Sequence, residues 1–301
     1  MIVASLSFQA LAQGTAMDFI RANWGPVSFG TAGADYASFS SGTAFSAVGN
    51  PAKLPLSAQK LDAAGTFGLL PSGESRSMVY GGGASVKLGR IGISAAYLGI
   101  SHPEIQLSSA GGGASGRFSP NDMMIGLGLA VGIGDYLSLG AVGRYAGSAL
   151  DAKTKLSSLS ADVVAMFRKD ALSVSAGVVA LGPKVESVSN RSYPLPSSAR
   201  LGAAYVLGFG DFALDIMADA DYYFSENLYI AAGLQAAYKD MVFLRAGMNV
   251  TTINDDFIAT PAPSVMAAGA GIKLFGVKLD FAVTMNALTG SALMASLGYA
   301  F

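Results

Sequence analysis

The chain has 301 residues, 51% of them hydrophobic, and its 19 basic and 20 acidic side chains nearly cancel, which points away from nucleic acid and other polyanions as partners. A membrane helix needs roughly 18 uninterrupted apolar residues, and no stretch beyond the first dozen positions supplies them, while 38 glycines scattered through apolar stretches suit curved strands better than helices. The absence of cysteine excludes disulfides and thiolate metal sites, and the lone His102 removes most zinc and histidine-base chemistry.

Residues 1–12 are apolar and end in Ala10, Leu11 and Ala12 before Gln13, the small-x-small pattern at which secretory signals are cleaved. We read them as the remnant of a signal peptide whose basic start is missing; a buried strand would give the same dozen. Residues 13–59 are small and rich in Gly and Ser, with Phe19, Trp24, Phe29, Tyr36, Phe39 and Phe45 at irregular spacing. They do not read as strands. Their aromatics favour tucking into an interior over hanging free, so a hatch or plug is expected here.

From residue 60 to 301 the chain falls into fourteen segments of alternating polarity, at about 60–70, 77–88, 91–100, 121–133, 136–148, 156–168, 171–182, 197–208, 212–221, 228–238, 241–250, 263–274, 277–286 and 291–301. Each is near the length of a tilted membrane strand. Alternation is clearest in 277–286, where Val277, Leu279, Phe281, Val283 and Met285 lie on one face and Lys278, Asp280, Thr284 and Asn286 on the other. A ring of about fourteen strands is too wide to be filled by wall side chains, so the apolar face looks outward to lipid. Arg144, Asp162, Arg200, Asp215, Asp219, Arg245, Lys278 and Asp280 are then candidate luminal charges. A soluble sandwich with its apolar face inward is the rival reading.

The connections alternate as well. Tight turns at Gly89-Arg90, Gly134-Asp135, Lys169-Asp170, Phe209-Gly210-Asp211, Lys239-Asp240 and Phe275-Gly276 alternate with connections that include the long 101–120, 183–195 and 251–261. Short turns on the periplasmic side and longer loops outside are what transmembrane barrels show. Phe167, Phe212, Tyr238, Tyr299 and Phe301 gather near the short-turn end like an interfacial girdle. Leu297, Tyr299 and Phe301, sharing one face of the last segment, look like the terminal signal read by barrel-assembly machinery.

Enzymatic signatures are weak, and the expectation is a non-enzymatic barrel with neither cofactor nor metal. His102 stands in a long loop beside Pro103 and Glu104, where a histidine is ordinarily solvated. The runs Gly81 to Gly83 and Gly111 to Gly113 lack the Lys and Ser or Thr of a phosphate loop. Asp215, Asp219 and Asp221 share a face that could hold a divalent cation, although acids facing a wet lumen explain them more simply.

The stretch Ser28 to Ala34, the pair Ala44-Phe45 and the motif Gly49-Asn50-Pro51-Ala52 followed by Lys53-Leu54 resemble the amino-terminal hatch of FadL-like outer-membrane barrels, most closely the PorV/PorQ branch. Leu195 to Gly202, Gly233 to Tyr238 and Leu244 to Gly247 extend the resemblance, which runs from about Phe19 to Phe301. It implies fourteen strands. It further implies an accessory subunit of type IX secretion that docks a large outer-membrane secretion or assembly protein. The alternative is FadL-like transport of hydrophobic small molecules. The chain is short for PorV and its outer loops are modest.

Overall fold

In the computed structural model the described residues are 15–22, 24–108, 114–151, 154–186, 191–225, 228–252, 265–286 and 290–301. The expected signal remnant, the Gly111 to Gly113 run and most of the 251–261 loop lie outside them. No helix among the described residues is long and apolar enough to cross a membrane. Crossing is by strands.

The strands are β1 (Leu61–Ser72), β2 (Ser75–Leu88), β3 (Ile91–Ser101), β4 (Ile105–Ser108), β5 (Ala114–Phe118), β6 (Asn121–Ile133), β7 (Leu137–Ala149), β8 (Lys155–Lys169), β9 (Leu172–Leu181), β10 (Val185–Glu186), β11 (Ser192–Tyr193), β12 (Ser198–Phe209), β13 (Phe212–Tyr223), β14 (Leu228–Tyr238), β15 (Val242–Thr252), β16 (Val265–Leu274), β17 (Val277–Asn286) and β18 (Gly290–Ala300). Fourteen of them close into one antiparallel barrel, and β4–β5 and β10–β11 form two small ribbons inside the long loops. Those ribbons were not anticipated from sequence, where both loops read as irregular. β15 also runs further than expected, through Thr252.

Closure joins β1 to β18, with Asp62 opposite Ala300 and Leu69 opposite Leu293. The Phe301 carbonyl accepts from the amides of Lys60 and Leu61, so the last residue ties off the seam. At the short-turn end, Lys239 and Asp240 both hold φ near 53° and Phe275 and Gly276 hold 52° and 84°. Phe275 and Gly276 thus form a two-residue turn between paired Leu274 and Val277 whose hand matches the strand twist, whereas Lys239 to Met241 make a three-residue connection between paired Tyr238 and Val242.

Exposure alternates along each strand as the sequence does, with its sense inverted relative to a soluble protein. Leu127 is 64% exposed at the centre of β6, whereas Asp162 on β8 is 0% exposed. On β17, Leu279 and Phe281 face out and Asp280 faces in. A soluble sandwich is therefore displaced: one closed sheet presents apolar side chains outside and encloses its charges. A closed ring leaves no edge strand to lipid, and at the one bulge between β8 and β9 among the described residues of the barrel the Ala180 amide donates to Asp162 at 2.7 Å instead. The chain is an integral outer-membrane barrel.

Candidate functional site in the lumen

The described residues of 15–57, all but residue 23, lie inside the barrel. A 3-10 turn (Asp18–Arg21), a five-residue helix α1 (Pro26–Gly30) and a second 3-10 turn (Pro51–Leu56) are their only regular elements. This segment is held by glycines on the inner face of the wall. A Cβ placed on Gly247 would stand 2.2 Å from the Thr31 carbonyl carbon, on Gly126 2.3 Å from the Ala47 oxygen, and on Gly83 2.3 Å from the Ala44 oxygen. Such notches let two backbones touch, which is a recurrent use of strand glycine. Outward-facing Gly143, by contrast, has nothing within 4 Å.

The Gly49 to Ala52 motif sits at one such contact. Asn50 accepts from the Ala52 amide at 3.0 Å, capping the turn that follows. Its side-chain nitrogen donates to the Tyr36 carbonyl and to Ser175 Oγ, each at 2.8 Å, so one amide joins two parts of the segment to β9. Pro51 and Ala52 fill the notch at Gly140, and Ser138 donates to the Ala52 carbonyl. Gly49 is half-buried beside Phe45.

All eight candidate luminal charges face inward, and the pairing is local. Arg144 makes a two-pronged contact with Asp162 on the adjacent β8. Arg200 donates to Asp219 at 2.7 Å from β12 to β13, and its guanidinium lies 4.5 Å from the centre of the Tyr36 ring. Arg245 reaches Asp280 at 2.6 Å over the intervening β16, which is possible because Gly271 stands there; a Cβ at Gly271 would meet Asp280 Oδ1 at 2.1 Å. Lys278 likewise passes β18 to reach both oxygens of Asp62, at 3.0 and 3.1 Å. Asp215 accepts from Ser38 at 2.5 Å and Ser40 at 2.6 Å.

Sequence reasoning missed the partners that come from the segment itself. Arg21 pairs with Asp221 and donates to Ser198, and Lys53 donates to the Asp35 carbonyl at 2.7 Å and to Ser41 at 3.0 Å. Burial pushes both cations below their ordinary pKa, most for want of water around the charge. The cue was available: Asp18, Arg21, Asp35 and Lys53 are the only charges in 13–59, and buried charges need partners. The three acids that share a face of β13 each have a partner of their own, and no metal-binding cluster occurs among the described residues.

Toward the end of the barrel opposite the tight turns the lining turns apolar. Leu70, Val79, Leu98, Ile100, Met124, Ala146 and Met294 of the wall form one buried cluster with Met17, Phe19, Ile20, Trp24 and Phe29 of the segment. Below it lies a cavity of about 360 Å³ bordered by Trp24, Arg21 and Phe45 at one end and by Asp240, Lys273 and Ile272 near the tight turns at the other.

His102 is not a free loop residue. Its ring lies between Ser77 and Asp122, 2.9 Å from each, and Ser148 donates to the other oxygen of Asp122 at 2.5 Å. The order is that of a serine-hydrolase relay, but Ser77 is 3% exposed, so its hydroxyl has no open approach. On the outer wall, Leu297, Tyr299 and Phe301 all face lipid. Tyr299 and Phe301 stand 6.1 Å apart, and Phe212 and Tyr238 4.8 Å, as parts of an aromatic band near the tight turns.

No family model matches the chain, and no curated protein matches it. Solved structures do. The Pseudomonas putida toluene transporter TodX is 12% identical with a TM-score of 0.61, the match covering 92% of this chain and 98% of that one. CymD, described as a monoaromatic hydrocarbon channel, is 12% identical with a TM-score of 0.66 over 92% and 97%. A Pseudomonas aeruginosa FadL homologue is 10% identical with a TM-score of 0.58 over 96% and 99%. At these identities the likeness is one of fold, and the fold of this chain is that of the FadL-like outer-membrane barrels.

Proposed function

We propose that the chain is a non-enzymatic outer-membrane channel or transporter for hydrophobic small molecules, with residues 15–57 acting as its plug. The observation that carries this reading is the division of the lumen. A buried apolar cluster packs part of the lumen away from the tight turns, beside the Arg21–Asp221 and Arg200–Asp219 pairs, and a cavity begins at its underside and runs toward the periplasmic rim. A solute of low polarity would be favoured in the first by about 25 cal/mol per Å² of apolar surface removed from water, and would then pass the segment or leave through the wall. The structural likenesses to a toluene transporter and a hydrocarbon channel add support. Docking of a large secretion component, which the PorV/PorQ resemblance implied, has no comparable feature behind it.

Trp24 is the only tryptophan and lies 4% exposed at the junction of compartment and cavity, so it reports arrival directly. Bromotoluene, a heavy-atom quencher, added to the folded protein in detergent should quench Trp24 saturably, and vesicles carrying the protein should take up toluene faster than empty ones. Unsaturable quenching with no gain in uptake, together with a large stoichiometric partner on purification from native membranes, would overturn transport in favour of docking.

A further inference from the structure

The Ser77, His102 and Asp122 chain is unexplained by a plug or a barrel wall. Its position is informative. Ser77, Asp122 and Ser148 each lie two residues outward of Val79, Met124 and Ala146 on the inner faces of β2, β6 and β7. Those three belong to the apolar cluster that holds Trp24. His102 follows the end of β3, two residues beyond Ile100 of the same cluster, and its amide donates to the Pro120 carbonyl at 2.9 Å. The imidazole therefore spans β2 to β6 directly above these apolar residues, Asp122 carries the chain on to Ser148 of β7, and the His102 side chain is only 12% exposed.

Nε2 faces Asp122 and Nδ1 faces the Ser77 hydroxyl, so a ring tautomer with its hydrogen on Nε2 gives each nitrogen a partner. Every member is thereby satisfied at the margin of an apolar region, where an unsatisfied polar group is costly. The chain is stable when shut and can be released by giving its groups to water. Next to this wall, at β8 and the connection leading into β12, the Ala16 amide bonds to the Pro194 carbonyl at 2.9 Å, and Ser158 contacts Met17 Sδ at 3.1 Å, so the segment itself covers that part of the rim.

We propose that Ser77, His102 and Asp122 form a latch that closes the outer end of the apolar compartment over β2, β3, β6 and β7. A solute approaching from outside along this wall must displace the His102 ring. The passage of a solute rests on the transport reading; the closure itself does not.

Quenching of Trp24 by acrylamide, a neutral water-soluble probe, added only outside vesicles that hold the full chain with its long loops outward, tests the latch with no transported molecule present and with the cavity at the tight-turn end shielded. His102→Ala removes the ring and both bonds, and should raise the quenching constant well above that of the native chain. Ser77→Ala removes one bond, worth up to about tenfold in the open population, and should give an intermediate rise even if the His102 variant fails to fold. Heat-modifiable migration checks that each barrel is intact. Unchanged quenching in folded variants would overturn the latch, and so would labelling of Ser77 by a fluorophosphonate, which would make it a nucleophile instead. If the latch variants open while bromotoluene reaches Trp24 in none of them, transport falls and the latch stands.

Discussion

The wall and the segment it encloses are built on opposite principles. Each wall strand keeps apolar side chains outward and turns mostly polar or small ones inward, with a buried apolar set toward the long-loop end, and its neighbours are fixed by closure. The segment of 15–57 has almost no regular structure, and is fixed by what the wall offers it: glycine notches, carboxylates and one apolar compartment. The difference teaches that the inner face of this barrel is not simply a wet surface. Its glycines and charges are addressed to particular residues of the same chain.

That contrast can be broken on either side, and the largest effect is expected where wall charge is buried. Arg144→Met leaves Asp162 enclosed without its cation and should cost about 3–5 kcal/mol in urea unfolding from lipid vesicles. A loss under 1 kcal/mol would mean that water reaches this pair. The outer face comes next: Leu127→Arg, placed near the middle of β6, should cost about 2–4 kcal/mol in the same measurement. If the arginine were tolerated there, that face would not meet lipid.

Two milder substitutions test the fit of the segment. Gly247→Leu would drive a side chain into the Thr31 backbone and should destabilise by about 1–3 kcal/mol, with Trp24 emission shifting toward the red as the segment lifts away. Outward Gly143→Leu should do neither, and equal effects from both would refute the notch. Asn50→Ala removes a cap and its two bonds to the Tyr36 carbonyl and Ser175, and should cost about 1 kcal/mol, read as faster proteolysis of the segment while the barrel stays whole.

How much of this could be read from residues alone follows the same divide. Period two and the alternation of turns located all fourteen barrel strands, because each strand reports its own two faces without reference to a neighbour. The inward set from Arg144 to Asp280 was legible for the same reason. The pairs were not: Arg245 meets Asp280 only because Gly271 on the strand between them has no side chain, a fact of register rather than of pattern. His102 was misread because its position in a long loop hides that the loop's base folds back over the lumen. The path of 15–57 was closed to sequence reasoning, since the notches that guide it are glycines indistinguishable in pattern from any others.

The claim on which all else depends is the orientation of the wall, and the absence of native cysteine makes it directly testable. Spin labels on Ser296→Cys and Leu297→Cys would sit on neighbouring residues of β18, the first bordering the luminal cavity and the second 61% exposed on the outside. In lipid vesicles the label at 297 should be reached by oxygen and shielded from a water-soluble nickel chelate, and the label at 296 should show the reverse. An aqueous environment at 297 with a lipid environment at 296 would contradict the account.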